Sequence, residues 1–168
     1  MKTIVAEPLT RAAFAEFGDV LDTEGDTPRI INAGMTERFH DLAKVEAVGD
    51  DARVLVSIFR GQPYKFPLQL KMVERHPLGS QAFMPLSLQP FLVAVCADGS
   101  QGPLAPRVFV TKPGQGVNYH RNLWHAVLTP IGEKQDFLVV DRGGEGNNLE
   151  EHYFDEPYLI ELPEIAHD

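Results

Sequence analysis

One cysteine, Cys96, stands in 168 residues, so no disulfide can close within the chain. It sits in an apolar run, residues 91–96, and reads as a buried thiol with no catalytic duty. Basic residues are scarce: 15 Lys and Arg face 24 Asp and Glu, a net charge of −9. That balance argues against nucleic acid and anionic membranes as partners, while leaving room for a locally positive pocket that takes a small anion. No apolar run is long enough to cross a bilayer. Residues 1–7 lack the apolar core of a signal peptide, so the expected compartment is the cytoplasm. There is no His-x-His pair, no His-Glu-x-x-His and no phosphate-loop pattern. Metal therefore does not follow from spacing alone, and nucleotide binding has no support. Internal repeats, low-complexity segments and linkers are absent too, so residues 1–168 are expected to form one domain.

What the chain does contain is strand. Runs such as Val54-Leu55-Val56-Ser57-Ile58-Phe59, Phe91 to Cys96 and Phe137-Leu138-Val139-Val140 are β-branched or aromatic and lie between Gly, Pro and Asp turns. Roughly ten such segments recur at a spacing of about 8–12 residues, the pattern of an all-β sandwich or barrel. Helix is confined to residues 11–17, with Thr10 as cap and Gly18 as stop. The acidic tail offers one further strand, at residues 151–154. Closure into a barrel would remove exposed sheet edges and leave a mouth where polar side chains converge.

Three groups of residues could carry chemistry. Glu74 and His76 alternate on one strand and share a face, with Gln81 just past the following turn. His120 and His125 flank a tight loop. Asp136, Asp141 and Arg142 surround the last strong strand. Glu74, His76, Gln81 and His125 are together a candidate set of oxygen and nitrogen ligands for a divalent metal. The alternative is a set of hydrogen-bonded polar groups in the barrel mouth. Arg142 is either paired with an acid or a clamp for a substrate carboxylate, since guanidinium grips carboxylate bidentately. Arg38 and His40 lie on one side of an alternating segment, either a solvated hairpin face or a pocket wall.

Two blocks are familiar. Glu74-Arg75-His76-Pro77-Leu78-Gly79-Ser80-Gln81-Ala82-Phe83 and Gly116-Val117-Asn118-Tyr119-His120-Arg121-Asn122-Leu123-Trp124-His125 resemble the most distinctive segments of the bacterial ureidoglycolate lyases. Ala13-Phe14, Phe17-Gly18-Asp19-Val20, residues 37–42, Asp136-Phe137-Leu138 and Asp141-Arg142-Gly143-Gly144 match as well. The resemblance implies a cupin-type β-barrel or jelly roll, a homodimer, nickel as the metal, and cleavage of (S)-ureidoglycolate to glyoxylate and urea in allantoin degradation. That reaction needs a base for the substrate hydroxyl and an acid for the leaving nitrogen. On this reading His120, His125 and Tyr119 are the catalytic candidates. Arg142, Arg38, His40 and Asn118 are the substrate contacts, and His76, Gln81, His125 and Glu74 hold the metal. A non-catalytic cupin module that binds a small carboxylic acid, or a sugar isomerase, would use a similar pocket.

Overall fold

The strands form where the sequence alternates or runs apolar. In the computed structural model, which describes residues 1–164, they are β1 (Lys2–Val5), β2 (Gly18–Leu21), β3 (Arg53–Gly61), β4 (Leu68–Arg75), β5 (Gln81–Pro85) and β6 (Phe91–Cys96). After them come β7 (Arg107–Val110), β8 (Gly116–Tyr119), β9 (Trp124–His125), β10 (Gln135–Gly143) and β11 (Glu150–Glu161). Shorter pieces lie between them. One helical turn, α1 (Arg11–Phe14), begins where the Thr10 hydroxyl accepts from the Ala13 amide at 3.2 Å. The helix is shorter than the expected 11–17. Phe14 and Phe17 are both buried, and the chain leaves the helix after one turn to seat both rings.

Two sheets face each other as a nearly closed barrel of the jelly-roll type. The larger runs β1-β11-β4-β9-β6-β7 and ends on Glu7–Pro8, with Thr129–Pro130 also paired to β6. The smaller runs β2-β8-β5-β10-β3. The core lies between them. Phe91, Val93, Val95 and Phe109 come from the first sheet, and Phe83, Val117, Tyr119, Phe137 and Val139 from the second. The alternate residues of β6, Leu92 and Ala94, are buried in a second cluster on the far face with Leu70 and Ile160. That explains why β6 reads as a continuous apolar run. Cys96 is buried at its end, as expected, and burial pushes its thiol up to about 12.

Two segments depart from expectation. β11 is the longest strand, although only residues 151–154 were expected. Its register shifts between Tyr153 and Tyr158, and Glu151, Asp155 and Glu156 lie on exposed positions, which masks the strand in the sequence. β3, expected as a strong strand and found as one, is a sheet edge with Val54, Val56 and Ile58 exposed, which its apolar run does not announce. Near it in sequence, Arg29–Ile31 pairs with Thr36–Arg38 in a hairpin exposed along its whole length.

Candidate functional site

The inner cavity opens between β3, β4, β5 and β9. It measures about 580 Å³ and is lined by Phe59, Gln62, Tyr64, Phe83, Val127 and Leu128, with Glu74, Gln81 and His125 as its polar wall. β9 lies between β4 and β6, so His125 stands opposite Glu74 in register. His76 follows the end of β4, with its ring centroid 5.2 Å from that of His125. One donor atom from each of Glu74, His76 and His125 lies within 4.8 Å of the others. The loop between β8 and β9 is tied into this group: Asn122, with φ 70°, gives its amide to the His76 carbonyl at 2.9 Å. Asn tolerates that left-handed backbone better than most residues.

The hydrogen bonds behind the site decide what faces its front. His76 Nδ1 lies 2.8 Å from the Asn148 carbonyl, and His125 Nδ1 lies 2.9 Å from the Ala126 carbonyl. A carbonyl only accepts, so each imidazole is protonated on Nδ1 and presents the Nε2 lone pair. Gln81 gives its amide N–H to Asp141 at 3.2 Å. His76 Nε2, His125 Nε2 and Gln81 Oε1 are then buried with no hydrogen-bond partner. Three lone pairs beside a carboxylate suit a borderline divalent cation with nitrogen and oxygen ligands. Backbone carbonyls holding the far nitrogen of each ring are the usual support for ligating histidines.

Burial sets the protonation of the cluster. It pushes the His125 imidazole down to about 3, with the Ala126 carbonyl opposing and His76 adding, so the ring is neutral at ordinary pH. Burial raises the Glu74 carboxyl above the usual carboxylate range, partly countered by His76 and reinforced by Glu151. Tyr119 lies in the core face-on to His125, and burial with the nearby Glu74 raises its phenol, so it stays protonated.

The other candidates lie elsewhere. β8 alternates, so Tyr119 points inward while Asn118 and His120 point to the outer face. There His120 Nε2 meets Asp19 at 3.1 Å, and the Asn118 amide gives hydrogen bonds to Asp19 and the Lys44 carbonyl, each at 3.0 Å. Burial alone would raise Asp19, but bonds from Asn118, the Lys44 amide and His120 hold its carboxyl below the usual range. His120 therefore does not face His76 across the cavity. Arg142 is buried and gives its N–H groups to the carbonyls of Val48, Asp50 and Glu145. It fastens two loops and meets no substrate space. Gly49, Gly79 and Gly144 line its slot, where any Cβ would crowd it. Arg38 and His40 are exposed and do not line the cavity.

Sequence reasoning missed the front wall. Residues 61–67 read only as a loop, yet Gln62 and Tyr64 border the cavity. Arg60 is at the rim, but it alternates with Phe59, which packs inward on Phe83, and its exposed guanidinium is held bidentately by Asp136 at 2.8 and 3.1 Å.

The barrel and its polar inner wall place the protein in the cupin class, with a site sized for a small molecule. A family model described as ureidoglycolate lyase matches residues 1–161. Proteins named ureidoglycolate lyase align along nearly the whole chain. One from a Chelativorans species is 70% identical over 164 residues, covering 98% of this chain and 99% of its own. One from Mesorhizobium japonicum is 64% identical over 163 residues, 97% and 100% of the two chains. One from Brucella ovis is 54% identical over 167 residues, 99% of each. The chain belongs to the ureidoglycolate lyase family.

Proposed function

We propose that this chain is a carbon–nitrogen lyase that splits ureidoglycolate into glyoxylate and urea, with the cavity at Glu74, His76, Gln81 and His125 as its site. Family membership supports the reaction. The single observation that carries the location is the convergence of two partnerless buried imidazole nitrogens, His76 Nε2 and His125 Nε2, on the Glu74 carboxylate, with partnerless Gln81 Oε1 on the same cavity lining as Glu74 and His125.

The substrate carries a hydroxyl and a ureido nitrogen on one carbon, so cleavage is a net transfer of one proton. The hydroxyl loses its proton, the C=O bond forms, and the C–N pair leaves with nitrogen, which takes a proton to become urea. Glu74 is the group we assign to this transfer. Burial makes its carboxyl more basic than usual, which suits a residue that must take a proton and give it back. This assignment replaces His120, whose imidazole is spent on Asp19. The neutral Tyr119, stacked face-on, holds the His125 ring in plane.

His76, His125 and Gln81 would hold a divalent metal, for which nickel is the proposed identity, with the Glu74 carboxylate beside it left to carry the proton. Bound there, it would lower the pKa of the substrate hydroxyl. Arg142 and Arg38 are not kept as partners of the substrate carboxylate; the Gln62 amide and the Tyr64 hydroxyl on the cavity wall are the donors proposed in their place.

The proposal extends to one domain over residues 1–168, a cytoplasmic location and a homodimer. The exposed Val54, Val56 and Ile58 on edge strand β3 support the dimer, because an apolar sheet edge needs covering. No helix among the described residues is long and apolar enough to cross a membrane.

The test is product analysis. Incubation with racemic ureidoglycolate should release glyoxylate and urea in equal amounts without ammonia. Ammonia in place of urea would mean hydrolysis of the ureido group. Binding without turnover would favour the carboxylic acid-binding module.

A further inference from the structure

We propose that Asp141 is a positioning residue that locks the amide of Gln81 so that Gln81, like Glu74, His76 and His125, turns an acceptor to the site. The proposal rests on the reading of this cavity as a metal-assisted lyase site and deepens it.

A side-chain amide has two ends, and left alone it can present either. β5 and β10 pair antiparallel through Val140 and Ala82, and one step further along Asp141 comes beside Gln81. The carboxylate of Asp141 has only lone pairs to offer, so the amide can meet it only through its N–H. The 3.2 Å contact from Nε2 to Asp141 Oδ2 satisfies that demand. It leaves Gln81 Oε1 buried, without a partner, on the cavity wall beside Glu74 and His125. Reversal would press Oε1 against the carboxylate and turn an NH₂ group toward the cavity. The same logic governs the two imidazoles, whose N–H groups are taken by carbonyls behind the site. Asp141 is the third such anchor, and the one made by a side chain. It touches neither substrate nor metal in this scheme and acts through Gln81.

The experiment titrates the full-length, metal-stripped chain with Ni²⁺ alone by calorimetry and records the side-chain amide resonances of Gln81 without metal. Asp141→Leu removes the acceptor at similar size. It should weaken Ni²⁺ binding by about 10–100-fold, the usual effect of losing such a support. It should also shift the Gln81 amide resonances toward those of a free side chain. Asp141→Asn still offers a carbonyl oxygen and should stay near the parent. Asp141→Leu with Gln81→Glu should recover binding, since a carboxylate presents an acceptor in either orientation. A purely structural role for Asp141 would not be rescued at position 81. If Asp141→Leu does not fold, Asp141→Ala carries the same comparison.

Unchanged Ni²⁺ affinity and unchanged Gln81 resonances in Asp141→Leu would overturn the proposal. A parent protein that binds no Ni²⁺ would sink the metal reading by itself. The amide resonances would then decide Asp141 alone: a shift in Asp141→Leu upholds the lock, and no shift overturns it.

Discussion

Tyr119 lies flat on His125, with ring centroids 4.2 Å apart and planes within 9° of parallel. Together with the Ala126 carbonyl on Nδ1, the stack leaves the imidazole one orientation, with Nε2 toward Glu74 and His76. If orientation is what Tyr119 supplies, Tyr119→Phe keeps turnover close to the parent's. Tyr119→Leu, which loses the stack, should lower kcat by about tenfold or more, the scale seen when a ligand's support is removed. Steady-state kinetics on both variants checks this. Equal losses would locate the contribution in the hydroxyl.

Glu74→Gln keeps the shape of the cavity wall and removes its proton acceptor. Turnover should fall by about 10²–10⁴-fold, the range for loss of a general acid–base group. The folded structure should persist, since Glu74 anchors no buried network. Retained turnover would send the proton elsewhere.

His120→Asn should change turnover little. The ring sits on the outer face of β8 against Asp19, and its loss costs a half-exposed contact. A loss of several orders of magnitude would restore the catalytic role that the sequence suggested and displace Glu74.

Asp98 accepts from Trp124 Nε1 at 3.0 Å and from Arg75 at 3.2 Å. The Trp124 bond, and Arg75 beside it, hold its carboxyl below the usual range. A carboxyl depressed on folding stabilises the fold fully above its unfolded value of about 3.9, and that contribution drains away as pH falls through the lower folded value. Thermal melts of the parent and Asp98→Asn should therefore differ most near neutrality and converge in strong acid. A gap that stays constant with pH would remove ionisation from the account.

Cys96 should be inert. Burial holds its thiol near 12, so thiolate is negligible at pH 8. A thiol reagent should label the native chain only at the rate of unfolding, and label it promptly in denaturant. Fast native labelling would contradict the placement of β6.

Much of this was legible in the chain itself. Alternation put Glu74 and His76 on one face, and the Pro77–Ser80 turn returned Gln81 beside them. The continuous apolar run of β6 announced a strand with a buried thiol at its end. What alternation could not reveal was which histidine of the His120–His125 pair faces inward. β9 is only two residues long, and its direction is fixed by pairing with β4 and β6. Arg142 misled for a related reason. Its slot is assembled from Gly49, Gly79 and Gly144, and its partners lie at Val48, Asp50 and Glu145. Nothing local to Asp141-Arg142-Gly143-Gly144 separates a guanidinium that grips backbone from one that grips a substrate.

The most direct measurement is a crystal structure of the protein soaked with glyoxylate. The account predicts the product inside the cavity, beside His125 and Glu74 and within reach of Gln62 and Tyr64. Glyoxylate seated instead against His120 and Asp19, with the cavity empty, would contradict it.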